Sequence, residues 1–338
     1  MDGKVNIHQI RCSLPIPGAT VNLYFSNKPT PTLIDAPPKG TKYLKELNDG
    51  LKSLGYSIGD IRRIIITHPH FDHFGSVSQI NKMNAAEVWS SKKGARWIEE
   101  YETELRDQQT YRTQLLKEAG ASAEDIKYVN GYYREANRFG EGAKISRYLE
   151  AGDSFELATL VFEVSDVPGH TPGCILMLDA QNGVAFTGDF LTHGYRLEPL
   201  VQWTDLTSPA YRTLKSYIGS LRKARTMNLR IAFPGHGMRI EAPAQRITHM
   251  LASIASRRGA ILEILAKGGQ TAFKIMSNVF PGLTREHLFR AISDIKGHLE
   301  MLEEDGLIER TDDMPVCFHL VKPQAKNPAQ IFGASHLA

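Results

Sequence analysis

The sequence predicts an α/β protein in which a mixed sheet carries helices on its outer face and a smaller, mostly helical segment follows. Three observations predict it. Over the first 66 residues, apolar runs come in the order strand, strand, strand, helix, strand, an order that builds a sheet with helical cover. Further along, three short apolar runs each end at a glycine-flanked residue able to bind metal. From Glu241 onward the strand pattern stops and helical spacing takes over. A chain of 338 residues has room for one large domain and a second smaller one, and can bury a core without staples.

Taken in order, Ile7 to Leu14, Val21 to Phe25 and Thr32 to Ile34 are alternating or β-branched runs. They are separated by Pro15-Ile16-Pro17-Gly18 and Asn27-Lys28-Pro29, and read as strands joined by turns. Asp35 follows the third. Tyr43, Leu44, Leu47, Leu51 and Leu54 recur at helical spacing until Gly55, and Ile64-Ile65-Ile66 reads as a buried strand. Val77 and Ile80 mark a short helix, and Ala86 to Ser90 another strand. Residues 92–147 read as a helical insertion, with Trp97, Tyr101 and Leu105 on one stripe and Tyr111, Leu115 and Leu116 on another, then Tyr128, Tyr132, Tyr133 and Phe139. The plain expectation is that these aromatics pack the helices against the main body; the alternative is a lid or dimer contact shaping an apolar pocket. Phe155 to Val164 is strand-like. Cys174 to Leu178 and Val184 to Phe186 form a hairpin around Gln181-Asn182-Gly183, a helix runs from about Ser208 to Thr226, and Ile231 to Phe233 is a last strand.

The chemistry concentrates in His68, His70, Asp72 and His73, directly after the buried Ile64–Ile66 run. Three histidines and a carboxylate in six positions are far denser than core packing requires. Imidazole and carboxylate suit zinc, iron or manganese. His68 and His70, at strand spacing, point the same way, while Asp72 and His73 open the next helix. Strand ends deliver His170, Asp189 and His236 to the same edge of the sheet.

These motifs, HPHFDHFG (68–75), PGHTPG (168–173), TGDF (187–190) and PGHG (234–237), resemble the metallo-β-lactamase superfamily, in particular its glyoxalase II-like hydrolase branch, over roughly residues 5–240. The resemblance implies a four-layer αββα sandwich. It also implies two divalent metal ions, zinc first with iron or manganese as alternatives. One would be held by His68, His70 and His170, the other by Asp72, His73 and His236, with Asp189 bridging and Asp35 supporting from behind. A hydroxide between two such ions is a nucleophile at neutral pH, and Asp72 is the candidate catalytic residue, orienting it or passing a proton to the leaving group. The bridging aspartate points away from true β-lactamases, and His70 away from the flavo-diiron branch. Lactonases of the superfamily often carry a tyrosine three residues after that aspartate. Thr192 stands there instead, with His193 and Tyr195 nearby as candidate substrate contacts.

Beyond Glu241 the order helix, helix, helix, strand, turn, strand resembles the winged-helix-like tail of one subgroup of these hydrolases, giving domains at 1–240 and 241–325 and a tail at 326–338. Residues 241–338 hold 11 Lys plus Arg and 11 Asp plus Glu, and residues 284–305 are net negative, which disfavours a nucleic-acid partner. The tail is expected to wall the substrate pocket or make a homodimer contact. The net charge of +3 and the lack of a membrane-length apolar run give no membrane partner, and three scattered cysteines and no leader-like start predict a cytoplasmic protein. His8, His249, His287, His298, His319 and His336 have no companion ligands and are read as structural or solvated. The leading function is hydrolysis of a small-molecule acyl ester or thioester. The rivals are a metal-dependent endoribonuclease, a lactonase, and an oligomerising regulatory protein with a relic site.

Overall fold

The computed structural model describes residues 6–193 and 212–321. Six strands form the first sheet in spatial order β1 to β6: His8–Ser13, Thr20–Ser26, Thr32–Ile34, Arg63–Ile66, Glu87–Ser91 and Arg147–Leu149. The first three run antiparallel and β3 to β6 parallel. The second sheet, in order β11-β10-β9-β8-β7, comprises β7 (Ser154–Leu157), β8 (Leu160–Asp166), β9 (Ile175–Asp179), β10 (Val184–Gly188) and β11 (Ile231–Pro234). Only the β10–β11 pair in it is parallel.

The two sheets stack face to face through Tyr24, Ile34, Ile65 and Trp89 on one side and Phe155, Phe162, Met177 and Phe186 on the other. Outside the first sheet lie α1 (Thr41–Ser53), α3 (Val77–Asn84) and α4 (Lys92–Glu99). Of the apolar stripe of α1, Leu44, Leu47 and Leu51 are buried against that sheet, while the buried Tyr43 meets Phe139 edge-on. Full burial of each such side chain is worth about 1.5–3 kcal/mol. Outside the second sheet, Tyr217, Leu221 and Ala224 of α7 (Thr213–Arg225) and Ile247 of α8 (Pro243–Leu265) cover Leu176 and Ala185. The layers are therefore α, β, β, α, as the resemblance implied.

The 92–147 segment divides its labour. Tyr101, with Trp97 and Leu105 against it, joins the core beneath the first sheet. Tyr111, Leu115 and Leu116 of α5 (Tyr101–Ala119) and Val129 of α6 (Ala123–Asn137) instead share a core with α8, α9 (Ala272–Val279) and α10 (Leu288–Glu304). The expectation that both stripes pack on the main body is thus corrected: the second is covered by the C-terminal elements. Two strand assignments also change. Arg147–Leu149 is the sixth strand of the first sheet, and Phe155 to Val164 is a hairpin whose turn places Ala158 and Thr159 at φ 53° and 72°, without the Gly or Asn that announces such a turn. The expected helix start at Ser208 lies outside the described residues.

After α8 a three-stranded sheet in order β12-β14-β13 (Gln270–Thr271, Cys317–Leu320, Ile308–Arg310) packs with α9 and α10. Helix α10, which the charge argument treated as a surface helix, is buried from Leu288 to Leu302 along most of its positions. No helix among the described residues is long and apolar enough to cross a membrane.

Candidate metal centre

Every ligand candidate follows the C-terminal end of a strand. His68 and His70 leave β4, and Asp72 and His73 sit on the short helix α2 (Phe71–Phe74). His170 follows β8, Asp189 follows β10, and His236 follows β11. Hydrogen bonds across the sandwich hold these loops together. Ile175 N–H donates to the Thr67 carbonyl (3.0 Å), and Tyr24 Oη and Asn22 Nδ2 both donate to the Pro234 carbonyl (2.8 and 3.0 Å). Gly235 must lack a side chain: a Cβ there would stand 2.5 Å from both Asp189 Oδ1 and His73 Cε1.

The side chains form two groups. In the first, His68 Nε2 lies 3.1 Å and His170 Nε2 2.9 Å from His70 Nδ1, and Asp189 Oδ2 is 3.8 Å from His68 and 3.5 Å from His170. In the second, His73 Nε2 is 3.3 Å from His236 Nε2, which is 3.3 Å from Asp72 Oδ2. Asp189 belongs to both, with Oδ1 3.5 Å from His73 and Oδ2 3.4 Å from His236. Two nitrogen ligands at about 2.0–2.1 Å on one tetrahedral ion lie about 3.3 Å apart, so these spacings fit metal-sharing ligands. All seven predicted ligands are brought together.

The donor set needs a cation. Asp189 Oδ1 is buried without a hydrogen-bond partner among the described residues, and ring nitrogens face one another at hydrogen-bond distance. Three of the other ring nitrogens are held by oxygen atoms, whereas His170 Nδ1 is buried without a hydrogen-bond partner among the described residues. His73 Nδ1 donates to Asp35 Oδ2 (2.8 Å) and His236 Nδ1 to the Thr20 carbonyl (2.7 Å), while His68 Nδ1 pairs with Thr67 Oγ1 (3.2 Å). Asp35 also accepts from Thr67 N–H (2.7 Å) and Thr67 Oγ1 (2.8 Å), and takes φ 62°, a conformation that short polar side chains tolerate. The supporting role expected of it is what its contacts describe.

Electrostatics separates the two groups. Burial pushes His68 well below its ordinary pKa, His70 down to about 3 and His170 to about 4, so these rings are neutral. For His73 burial acts the same way, but Asp189, Asp35 and Asp72 outweigh it and raise it to about 10. His236 is raised well above its usual value by Asp189 and Asp72, again against burial. Burial would raise both aspartates; instead His73 and His236 hold Asp72 and Asp189 below the carboxylate range. Without a metal, protons on His73 and His236 supply the positive charge that the carboxylates demand.

A family model described as the metallo-beta-lactamase superfamily matches residues 25–236, the stretch that contains every one of these ligands. The chain belongs to the metallo-beta-lactamase superfamily. Across 299 residues it is 24% identical to a probable metallo-hydrolase, YqjP, of Bacillus subtilis (strain 168), covering 88% of this chain and 92% of that one. It is 27% identical over 165 residues to the hydroxyacylglutathione hydrolase GloC of Haemophilus influenzae, covering 47% and 61%. The fold is shared with a metallo-beta-lactamase family protein from Thermus thermophilus, at a TM-score of 0.78 and 23% identity over 94% of this chain and 99% of that one. With its His/Asp cluster, this superfamily member is a metallo-hydrolase with a site for divalent metal ions.

The other candidate residues fare differently. His193 is exposed and does not line the cleft beside His70, and Tyr195 lies outside the described residues. That cleft is formed by Pro69, His70, Trp97, Tyr101, Tyr133 and Phe289, joining the insertion to the C-terminal helix α10. Sequence reasoning missed Arg290 on that helix. Burial opposes its charge, yet Tyr133, Tyr132 and Asp72 raise its pKa, and its charge adds to the burial that depresses His170. No periodicity or motif marks an arginine contributed from 54 residues beyond the last ligand, His236.

Proposed function

We propose that the protein is a dinuclear hydrolase of a small-molecule ester or thioester, with zinc the first candidate metal. The observation that carries this reading is Asp189, whose two oxygens stand within 3.4–3.8 Å of ring nitrogens from both groups, as a bridging carboxylate would. Two divalent ions, when bound, would acidify water and polarise a carbonyl. His68, His70 and His170 would hold one, and Asp72, His73 and His236 the other. Asp72 has a further part to play. Its side chain is 14% exposed where His68, His73, His170, Asp189 and His236 are buried, which supports a part in orienting the nucleophile or passing a proton to the leaving group at the mouth of the site.

The aromatic cleft beside His70 supports a substrate with an uncharged portion next to the scissile bond. We keep the division at about residue 240 and read the C-terminal elements as a winged-helix-like unit that walls this cleft, with Phe289 as its contribution. The burial of α10 supports a small-molecule substrate over RNA, because a helix covered on most sides has no face to lay in a groove. Metal analysis of purified protein, coupled to hydrolysis of ester, thioester, lactone and RNA substrates by wild type and Asp72→Ala, tests the proposal. Carbonyl-ester cleavage that collapses in the variant is expected. Metal-loaded protein that cleaves RNA and no carbonyl ester, or equal activity in both proteins, would overturn it.

A further inference from the structure

Helix α5 carries an arginine that has no charge partner among the described residues. Arg112 is 4% exposed, and among the described residues its only hydrogen bond runs from Nε to Asn130 Oδ1 (3.0 Å). Asn130 is itself neutral and turned to Thr113 (2.8 Å). The guanidinium lies over the Tyr133 ring, 4.5 Å from its centroid, and 5.7 Å from that of Phe289. Such stacking orients the plane but leaves the Nη groups unspent. No carboxylate among the described residues forms an ion pair with it. A guanidinium largely removed from water without a counter-ion is unfavourable, and an anion seated beside it would offset that cost. Burial lowers its pKa to about 10, the expected sign for a cation lacking an anion.

Its location gives the cost a use. Arg112 lines the aromatic cleft that contains His70, and it also lines a wider bay of about 550 Å³. Leu105 and Asn137 are likewise common to both, so cleft and bay adjoin at Arg112. The bay is basic: Lys39, Arg106, Arg134 and Arg138 join Arg112, against the single carboxylate Glu102. Lys39 is partly neutralised by Glu141 (3.1 Å) and Arg138 by Glu135 (2.9 Å), whereas Arg106 makes only a bond to Thr103 (3.0 Å). On the cleft side, Gln108 Nε2 is a buried donor without a partner among the described residues. From the metal ligands outward the order is thus His70, an aromatic throat, a buried guanidinium, and a cationic bay.

We infer that Arg112 and the bay bind a phosphate-type anionic tail of the substrate, remote from the scissile carbonyl. This rests on the ester or thioester reading above and specifies its substrate class. One buried guanidinium at the neck of the bay suits a bidentate phosphate oxygen pair, and several exposed cations beyond it suit further negative charge on the same tail. A carboxylate tail shares part of that chemistry, and the test separates the two.

The experiment compares one acyl group on three carriers with full-length, metal-loaded protein: the coenzyme A thioester (phosphates), the glutathione thioester (carboxylates) and the N-acetylcysteamine thioester (uncharged). Wild type is expected to prefer the coenzyme A thioester by kcat/KM. Arg112→Gln should lower that value at least about 30-fold, mostly through KM, with a much smaller fall on the uncharged thioester and Arg112→Lys recovering part of the loss. Arg134→Gln, an exposed position with no bearing on folding, should lower it several-fold and flatten its salt dependence. A fall of equal size on all three carriers, or a wild-type preference for the glutathione or uncharged thioester, would overturn the inference. Binding of desulfo-coenzyme A, which lacks the thiol that would ligate metal, separates the two levels. Tight binding that Arg112→Gln abolishes supports the anion site even if no thioester is cleaved; no binding by wild type sinks the site whatever the enzyme hydrolyses.

Discussion

Replacing Asp35 by Asn changes one atom behind the second metal group and leaves every ligand in place. The carboxylate accepts three hydrogen bonds, Thr67 N–H at Oδ1, and Thr67 Oγ1–H and His73 Nδ1–H at Oδ2. An amide has one acceptor oxygen. If it sits at the Oδ1 position, the NH2 group opposes His73 Nδ1–H, and relief requires His73 to move its proton to Nε2, the atom that faces His236 and Asp189. If it sits at Oδ2, the NH2 group opposes a backbone N–H that cannot reverse. Asparagine also tolerates the φ of 62° found here, so the change is electronic and not a backbone effect. Losing such a partner typically costs about 10–100-fold in metal affinity, which is about 1.4–2.7 kcal/mol. The loss should fall on one ion only, because His68, His70 and His170 reach Asp35 solely through the Thr67 hydroxyl. Chelator competition with a spectroscopic divalent ion should resolve one weakened and one unchanged binding step. Two steps weakened equally, or neither, would refute the assignment of His73 to a group of its own.

Further outcomes follow from the same geometry. Metal uptake should be pH-dependent at one group and not at the other. His70 and His170 shed their protons below about pH 4, whereas His73 keeps its own up to about pH 10 and His236 also binds one well above its usual range, so an ion entering there must displace protons. Between pH 6 and 8, affinity for the second ion should rise with pH while the first stays level; titration with a pH indicator reads the released protons, and parallel profiles would contradict the charge assignment. In the metal-free protein, His70 and His170 stay neutral where their unfolded counterparts protonate. Since the unfolded chain binds more protons below about pH 6.5, stability should fall as pH drops from there toward about 4, as measured by denaturant melts. Gly235→Ala, whose Cβ would meet Asp189 and His73, should lose bound metal and activity while keeping its circular dichroism spectrum. Arg257→Ala removes the 2.7 Å ion pair to the buried Asp294 and should lower stability in denaturant unfolding while leaving bound metal unchanged.

The ligand set was legible because each member is announced locally: a strand signal, a glycine or proline turn, and a side chain whose chemistry is specific. Asp35 was legible for the same reason, as the last residue of a strand run. The β6 strand escaped because Arg147, Tyr148 and Leu149 give no alternation in three residues, and only pairing with β5 defines them. The Ala158-Thr159 turn escaped because tertiary contacts, including the Ala158 N–H to Lys28 carbonyl bond (2.7 Å), override the usual turn chemistry. Arg112 was invisible for another reason. On a helix otherwise marked by Glu102, Asp107 and Lys117 it looks like one more solvated charge, and only the packing of α6 and α10 around it removes the water.

That packing also explains why the chain recruits the second stripe of its insertion to the C-terminal core. Tyr111, Leu115 and Leu116 face α9 and α10, while Trp97, Tyr101 and Leu105 face the catalytic sheet and the cleft. Helices α4 and α5 therefore stand between two cores, and Arg112 sits where they meet. A change in the C-terminal elements that shifts α10 would move Phe289 in the cleft wall, yet leave the strand-end ligands where they are, since those are fixed by sheet hydrogen bonds and by Asp35. On the proposed function, metal binding and substrate choice would be held by separate parts of the structure. Substitutions in α9 and α10 should alter which carrier is preferred without altering how many ions are bound.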